Sequence, residues 1–502
     1  MTESHAQQAG VLVLGKVLAT LSDFIVPLVI VRLLGKVEVG VLAALLLIYS
    51  TVAMVLTAGF PETLSYFLPA RPATERRAIA WAVSRALFLL GCATGLLMLL
   101  LSLIPLVHPG LAAALVGEGS AIGGESLSYL AILALLPLAD LPARLLPNLL
   151  VVERRARAAA GLGVVKSLGG SLAAIVPLAL TQDLMTVVAC ITAFGVAYGL
   201  FVPLYLRALF RGVESAPSPV TSRELVRFAI PLGLTDIVSL LNSQLDRYLV
   251  LFFFTAAVFA EYQAGAWQVP MIATIPYAVG VAYTPRLVAW FKEGRPREAI
   301  DVWRASITKV SLLVVPLTMV FVVAAEETME LLFTRDYVGA AGVFRIYSIL
   351  TLGRVATFGS VIVAAGKPRF VLFAALLSFA SNAVLSVPLV VLIGPEGAAL
   401  GTLIAFVPTA TYYCWAIGRA SGLPLREVFP MASWLRVVGV AALAAVPAVA
   451  LKLGTDQAAA PTLIVVAVTL IVSFSVVGSA VGLIERTDWS YLRAWFALRV
   501  LR

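Results

Sequence analysis

The sequence predicts an all-α polytopic membrane protein with fourteen transmembrane helices, and three observations lead to this fold class. Of the 502 residues, 61% are hydrophobic and 13% are charged, whereas a soluble domain is about half apolar and a quarter charged. Apolar runs of about 20 residues, the length of a membrane-spanning helix, recur along nearly the whole chain. Short segments that alternate polar and apolar residues, as in a membrane β-barrel, do not recur. A soluble multidomain enzyme is therefore excluded.

Each predicted helix is one such apolar run, bounded by charged or polar residues. In chain order the predicted spans cover residues 10–32, 39–60, 78–104, 127–150, 159–180, 184–206, 226–254, 259–285, 303–324, 338–365, 370–393, 397–418, 434–453 and 460–484. Prolines lie inside several of them, and the fourth contains Pro137, Pro142 and Pro147. A proline frees a carbonyl and bends a helix. The connections are mostly shorter than about 20 residues, so we expect no extramembrane domain.

Lysine and arginine are unevenly distributed between alternate loops. One set of loops, together with the C-terminal tail, carries 24 of these residues, whereas the other set carries only Arg32, Lys36, Arg335 and Lys452. Cytoplasmic loops are the basic ones in membrane proteins, so both termini are predicted to lie in the cytoplasm. The net charge of +9 has the same origin and does not indicate a nucleic-acid partner.

A charged linker after the sixth predicted helix divides the helices into two groups. Two such groups suggest two six-helix lobes around a central cavity, followed by two C-terminal helices. We predict an N-lobe over residues 1–210, a cytoplasmic linker over 211–224, a C-lobe over 225–420, the last two helices over 421–484 and a cytoplasmic tail over 485–502. The tail mixes tryptophan and phenylalanine with arginine, which is typical of an amphipathic helix lying on an anionic leaflet.

The sequence carries no recognisable catalytic or metal-binding signature. Nucleotide-binding loops, GxSxG, HExxH and CxxC are all absent. The two histidines, His5 and His108, fall outside the predicted spans, and three cysteines form no metal motif. We therefore predict a protein that is not an enzyme and that holds no metal or cofactor.

Charged residues inside the predicted helices are the main functional signal. A charge at the centre of a bilayer costs about 3 kcal/mol on insertion scales, so such residues usually face a cavity. Eight cations stand against five acids: Lys16, Arg85, Arg144, Lys166, Arg247, Lys309, Arg345 and Arg354 against Asp23, Asp140, Asp236, Asp246 and Glu261. A surplus of buried cations indicates that an anion is bound there.

Not all of these residues have the same expected role. Lys309 is expected to extend to the inner interface, and Asp140 and Arg144, four residues apart, are expected to pair. The cations other than Lys309 are the candidate substrate-binding residues: Arg354, Arg247, Arg345, Arg144, Arg85, Lys16 and Lys166. The acids Asp23, Asp236, Asp246 and Glu261 are candidates for coupling transport to an ion.

Several short motifs resemble a known transporter family. They include Gly59-Phe-Pro-Glu-Thr-Leu-Ser-Tyr-Phe-Leu-Pro69, Leu245-Asp-Arg-Tyr248, Gly366-Lys-Pro-Arg369 and Gly394-Pro-Glu-Gly-Ala-Ala-Leu-Gly-Thr402. These are similar to the oligosaccharide flippases of the multidrug/oligosaccharidyl-lipid/polysaccharide (MOP) superfamily, which export O-antigen, capsule and exopolysaccharide repeat units. The resemblance implies fourteen helices in two lobes around a cationic cavity, and flipping of an undecaprenyl-pyrophosphate-linked oligosaccharide. It assigns no substrate-binding residue.

The predicted function is therefore the transfer of a polyprenyl-pyrophosphate-linked oligosaccharide across the bacterial cytoplasmic membrane by alternating access. A multidrug/cation antiporter or a lipid II flippase of the same superfamily are the alternatives. A membrane oligosaccharide polymerase or ligase is the alternative from another class, although the predicted outer loops are short. The expected partners are the lipid-linked substrate and membrane lipids, and beside them a polysaccharide polymerase and a chain-length regulator.

Overall fold

The computed structural model describes residues 15, 19, 21–22, 24–57, 59–69, 71–107, 128–214, 216–218, 220–454 and 458–485. These residues are predominantly helical, and no strand occurs among them. Up to residue 265 the helices are α1 (Phe24–Leu33), α2 (Lys36–Thr57), α3 (Thr63–Phe67), α4 (Ala73–Val107), α5 (Tyr129–Leu133), α6 (Leu136–Ala143), α7 (Leu145–Val152), α8 (Ala156–Thr181), α9 (Leu184–Leu209), α10 (Ser222–Phe253) and α11 (Ala256–Gly265).

The remaining helices follow with short connections. They are α12 (Pro270–Lys292), α13 (Pro296–Val323), α14 (Ala325–Leu332), α15 (Ala341–Gly353), α16 (Phe358–Ala364), α17 (Arg369–Ile393), α18 (Pro395–Ser421), α19 (Leu425–Val428), α20 (Met431–Gly454) and α21 (Ala459–Ala480), with a 3₁₀ turn at Arg335–Ala340 before α15.

Ten segments within the described residues are long and apolar enough to cross a bilayer. They are α2, α4, α8, α9, α13, the stretch Arg335–Ala364, α17, α18, α20 and α21. Each coincides with one of the predicted spans, so the all-helical, multi-pass class is confirmed. The count of fourteen stays a prediction.

Three spans predicted as continuous helices are interrupted. The fourth consists of α5, α6 and α7, and Pro137 and Pro142 remove backbone donors within it. The eighth consists of α11 and α12, with α12 beginning at a proline. The tenth breaks at residues 354–357, between α15 and α16, without a proline. At that break the Trp434 indole Nε1 donates to the Leu352 carbonyl at 3.1 Å, which satisfies one backbone acceptor.

The chain forms two compact units, Met1–Ala260 and Glu261–Arg502, with the boundary inside α11. Helix α10 belongs to the first unit and contacts α2. The sequence places the end of the first lobe earlier, at residue 210, and that lobe assignment stays a prediction.

In the first unit, α4 packs on α6, and α9 packs on both α6 and α8. Leu64, Leu87, Leu145, Leu149 and Leu206 form part of its fully buried core. Small residues allow the closest crossings. A Cβ added at Gly199 of α9 would overlap the carbonyl oxygen of Ala139 on α6.

In the second unit, two helix hairpins flank α13 and α15. Gly394, at a φ of +90°, is the single residue between α17 and α18, a backbone conformation that glycine adopts without strain. The short connection predicted between the spans 370–393 and 397–418 is therefore present. Helices α20 and α21 form the second hairpin and pack on α13. Val315, Ala441 and Leu470 are buried along this contact.

Candidate functional site

Three side chains of the first unit surround the carboxylate of Asp140. The Tyr49 hydroxyl donates to Asp140 Oδ2 at 2.7 Å. Lys166 Nζ donates to Asp140 Oδ1 at 2.7 Å, and Arg144 donates through Nε and Nη2 to Oδ2, each at 3.2 Å. We call Tyr49, Asp140, Arg144 and Lys166 the Asp140 group.

The broken fourth span positions the acid and one of its cations. Asp140 lies within α6, and Arg144 occupies the junction between α6 and α7, one turn later. Residues four apart lie on the same face of a helix, so the predicted pairing of Asp140 with Arg144 is present. Lys166 comes from α8 and Tyr49 from α2, so packing of separate helices completes the group.

The Asp140 group carries one more positive charge than negative. The Asp140 side chain is 12% exposed, whereas Arg144 is 27% and Lys166 is 44% exposed. The acid is therefore enclosed, while both cations are partly exposed. A cation that is only half neutralised by a shared carboxylate can accept a second anion.

Two members of the Asp140 group, Tyr49 and Lys166, lie well inside long helices. Lys166 is about 15 Å along the axis from the start of α8, and Tyr49 is about 20 Å from the start of α2. The hydrocarbon core of a bilayer is about 30 Å thick. Both helices are candidate spans, so the Asp140 group is placed at membrane depth.

Helix α10 carries a second set of predicted residues. Asp246 is buried, with 3% of its surface exposed, and Arg247 is half-buried. The Arg247 backbone N–H donates to Asp246 Oδ1 at 2.9 Å, and its guanidinium Nη1 donates to Gln244 Oε1 at 2.7 Å. Asp236 is exposed on the same helix. The side chain of Arg247 thus bonds to a neutral amide.

Arg354 lies at the break between α15 and α16. It is the first residue after α15, it is exposed, and its backbone N–H bonds to the Thr351 carbonyl at 3.0 Å. Interruptions of this kind inside a spanning segment occur where backbone lines a cavity or is buried in protein. The sequence prediction of a charge deep in the tenth span did not include the break.

Arg345 belongs to a cluster whose charges balance. Its Nη2 donates to Glu326 Oε1 at 2.8 Å. Lys452 Nζ donates to Glu326 Oε2 at 3.3 Å and to Glu327 Oε2 at 2.9 Å. We call Glu326, Glu327, Arg345 and Lys452 the Lys452 cluster. The hydrogen bond from Arg345 is the largest cause that lowers the pKa of Glu326, and Lys452 adds to it. Because two acids match two cations, the charge of Arg345 is already neutralised within this cluster.

Within the described part of the chain, the other predicted residues do not join the Asp140 group. Arg85 lines a separate pocket, and Glu261 is half-buried in α11, close to Gly339. Lys16 and Asp23 lie outside the described residues. Of the six candidate cations that the structure describes, it brings together Arg144 and Lys166.

Sequence reasoning missed two partners. Tyr49 is one tyrosine in an apolar helix, and nothing in the sequence links it to an acid 91 residues later. The sequence places Lys452 only among the four cations of the less basic set of loops. Across the described part of the chain, no three histidine, cysteine, aspartate or glutamate side chains are grouped so that they could hold a metal ion.

The sequence of this chain is similar to those of known proteins. The family described as "Polysaccharide biosynthesis protein" matches residues 5–291, more than half of the chain. A Haloferax volcanii protein named "Probable low-salt glycan biosynthesis flippase" is 27% identical over 195 residues. That alignment covers 38% of this chain, and the chain spans only 41% of that relative's length.

Solved structures with low sequence identity share the fold. The lipid II flippase MurJ, in an inward closed conformation, has a TM-score of 0.65 at 14% identity, covering 93% of this chain and 99% of that one. An inward-facing multidrug resistance MATE family transporter of the MOP superfamily has a TM-score of 0.55 at 17% identity, with 82% and 96% covered. A MOP superfamily transporter from Pyrococcus furiosus, described as having a binding pocket of reverse polarity, has a TM-score of 0.51 at 15% identity, with 84% and 96% covered. The chain has the fold of these transporters, and it belongs to the polysaccharide biosynthesis protein family.

Proposed function

We propose that this protein is a flippase that moves a polyprenyl-pyrophosphate-linked oligosaccharide across the cytoplasmic membrane for surface polysaccharide biosynthesis. The observation that carries the proposal is the Asp140 group, in which two cations share one carboxylate at membrane depth. Family membership and the relative named as a glycan flippase support a lipid-linked glycan as the substrate. Nothing in the family or the fold points to catalysis.

Each residue of the Asp140 group has a distinct proposed role. Lys166 and Arg144 donate charge-assisted hydrogen bonds to the pyrophosphate. Asp140 holds the two cations apart and oriented, and Tyr49 fixes the carboxylate. The polyprenyl tail stays in the bilayer, while the sugar crosses a hydrated interior by alternating access. Arg247 and Arg354 remain candidate anion ligands, and Asp23, Asp236, Asp246 and Glu261 remain candidates for ion coupling.

The proposal includes a membrane topology. Fourteen spans, with both termini in the cytoplasm, place the basic loops inside. The protein would then lie in a bacterial cytoplasmic membrane, where a polysaccharide polymerase and a chain-length regulator would receive the exported unit.

The test is Lys166→Met in cells that depend on this protein for surface polysaccharide. We expect roughly tenfold less polymer at an equal amount of membrane-inserted protein, because a charged hydrogen bond to the substrate is lost. Lys166→Arg should retain most of the activity. Lys292→Met is the matched control, since Lys292 is exposed at the end of α12. A normal amount of polymer in the Lys166→Met strain would show that the Asp140 group is not part of the transport site.

The alternative functions give different outcomes. A multidrug/cation antiporter would alter drug susceptibility in the Lys166→Met strain while the polysaccharide stays normal. If the protein is a lipid II flippase, its expression should restore growth to cells that lack their native lipid II flippase. A polymerase or ligase would turn over a polyprenyl-linked sugar in detergent, where no leaflets exist.

A further inference from the structure

A pocket of about 370 Å³ lies between one face of α4 and the short segment 216–218 that precedes α10. Arg77, Trp81 and Arg85 form its wall on α4, and Pro217 and Ser218 face them. The three α4 residues are spaced four apart, so they share one face of the helix. The pocket lies entirely within the first unit.

The fully buried core of the unit uses mainly a different face of α4. The residues that α4 contributes to the buried core are Ile79, Ala80, Val83 and Leu87. At about 100° per residue, those positions point roughly opposite to the face that carries Arg77, Trp81 and Arg85. Arg77 and Arg85 are therefore turned away from the fully buried residues of α4, while Trp81 between them is half-buried and packs against the core.

The described residues that line the pocket supply two guanidinium groups and no acid. Arg77 Nη1 donates to the Val213 carbonyl, which ties the linker to α4 and uses one of its five donors. Arg85 is exposed, and no carboxylate of the described residues lies within 4.0 Å of it. Two arginines beside a tryptophan, without a counter-ion, are a typical binding site for a phosphate group.

The position of the pocket suggests what carries the phosphate. Along α4, Arg77 is about 6 Å and Arg85 about 18 Å from the start of the helix. The two charges thus extend from the end of a spanning helix into the depth of the bilayer, with an interfacial type of side chain, Trp81, between them. A soluble phosphate would not need that depth, whereas a lipid headgroup enters it from the side.

We propose that Arg77, Trp81 and Arg85 bind the phosphate of a lipid headgroup, at a site separate from the Asp140 group. Two sources share this chemistry: an anionic phospholipid of the surrounding leaflet, or a polyprenyl pyrophosphate. The proposal does not depend on which substrate the protein transports.

The test uses the purified full-length protein and measures lipid binding by native mass spectrometry and by the shift in thermal unfolding midpoint. The probes are phosphatidylglycerol, phosphatidylcholine as the zwitterionic control, and farnesyl pyrophosphate. The variants are Arg85→Gln, Arg85→Lys and, as the matched control, Arg211→Gln, since Arg211 is also an exposed arginine of the linker region.

We expect roughly tenfold weaker binding of an anionic probe by Arg85→Gln, because a charged hydrogen bond is lost. Arg85→Lys should be affected less, and Arg211→Gln should behave as the unsubstituted protein. Loss of phosphatidylglycerol binding identifies a structural or regulatory lipid, whereas loss confined to farnesyl pyrophosphate identifies a substrate-entry site. Unchanged binding of both anions by Arg85→Gln, or equal loss in Arg211→Gln, overturns the proposal. The Arg85 side chain is exposed, so we expect Arg85→Gln to fold normally. An unchanged thermal unfolding midpoint in the absence of lipid verifies this.

Discussion

The Asp140 carboxylate accepts hydrogen bonds from a phenol, an ammonium and a guanidinium. The stability of this arrangement depends on the negative charge of the Asp140 carboxylate. Without the carboxylate, Arg144 and Lys166 would lie close together as like charges, partly shielded from water. At the scale of single residues, the acid is thus as important as the two cations, although the cations would contact the substrate.

We predict that Asp140→Asn destabilises the protein by about 1–3 kcal/mol, because the amide cannot neutralise the two cations. The measurement is the thermal unfolding midpoint in detergent. Asp301→Asn is the control, since Asp301 is an exposed partner of Arg304 at 3.7 Å and such pairs contribute little. An unchanged midpoint in Asp140→Asn would show that the group is not held together by this carboxylate.

Glu326 allows a prediction about pH. Its pKa is lowered from the ordinary value of 4.5 by its bond to Arg345 and by Lys452. A lowered pKa in the folded state means that the stabilisation is complete above 4.5 and is lost as the pH falls through the lowered value. We therefore expect the unfolding midpoint to fall as the pH is lowered below 4.5, and to do so less steeply in Glu326→Gln.

The control for this measurement is Glu330→Gln. Glu330 pairs with Arg335, whose side chain is 88% exposed, so its contribution is screened by solvent. If Glu326→Gln and the unsubstituted protein lose stability with the same slope, Glu326 does not carry the pH dependence.

At the scale of helices, small residues determine how closely two helices can cross. A Cβ at Gly199 would overlap the backbone of Ala139, whereas a Cβ at Gly163 of α8 meets nothing within 4 Å. We predict that Gly199→Ala lowers stability by about 1–3 kcal/mol because α9 and α6 must separate. Gly163→Ala should raise it by about 0.4–1 kcal/mol, since alanine restricts the unfolded chain. Equal midpoints for the two variants would contradict the close crossing.

At the scale of helices, the sequence predicts some features of the fold and of the candidate site and not others. Continuous apolar runs predict helices such as α8, α9 and α17, since length and hydropathy suffice for a spanning helix. The interruption at 354–357 contains no proline, so it follows from tertiary packing, including the bond from Trp434, and not from local propensity. For the site, the pairing of Asp140 with Arg144 follows from helical spacing. The approach of Lys166 and Tyr49 depends on which helices are neighbours, and a single sequence does not contain that information.

Taken as a whole, the molecule has an orientation that can be tested. The distribution of lysine and arginine predicts that Lys292 is cytoplasmic and Arg335 is external. In a variant without Cys92, Cys190 and Cys414, a membrane-impermeant maleimide should label Arg335→Cys in intact cells. Lys292→Cys should be labelled only after permeabilisation. The reverse pattern would invert the proposed topology.

The Lys452 cluster has a consequence for how the chain can be shortened. Lys452 is in the last turn of α20, and it neutralises acids that follow α13, while Trp434 at the other end of α20 bonds to the backbone at the break after α15. The hairpin of α20 and α21 is thus bonded to the rest of the second unit near both ends of α20. A chain truncated before α20 would leave Glu327 without its ammonium partner and the Leu352 carbonyl without the indole donor. Helices α20 and α21 are therefore a structural part of the second unit, and we expect their removal to destabilise it.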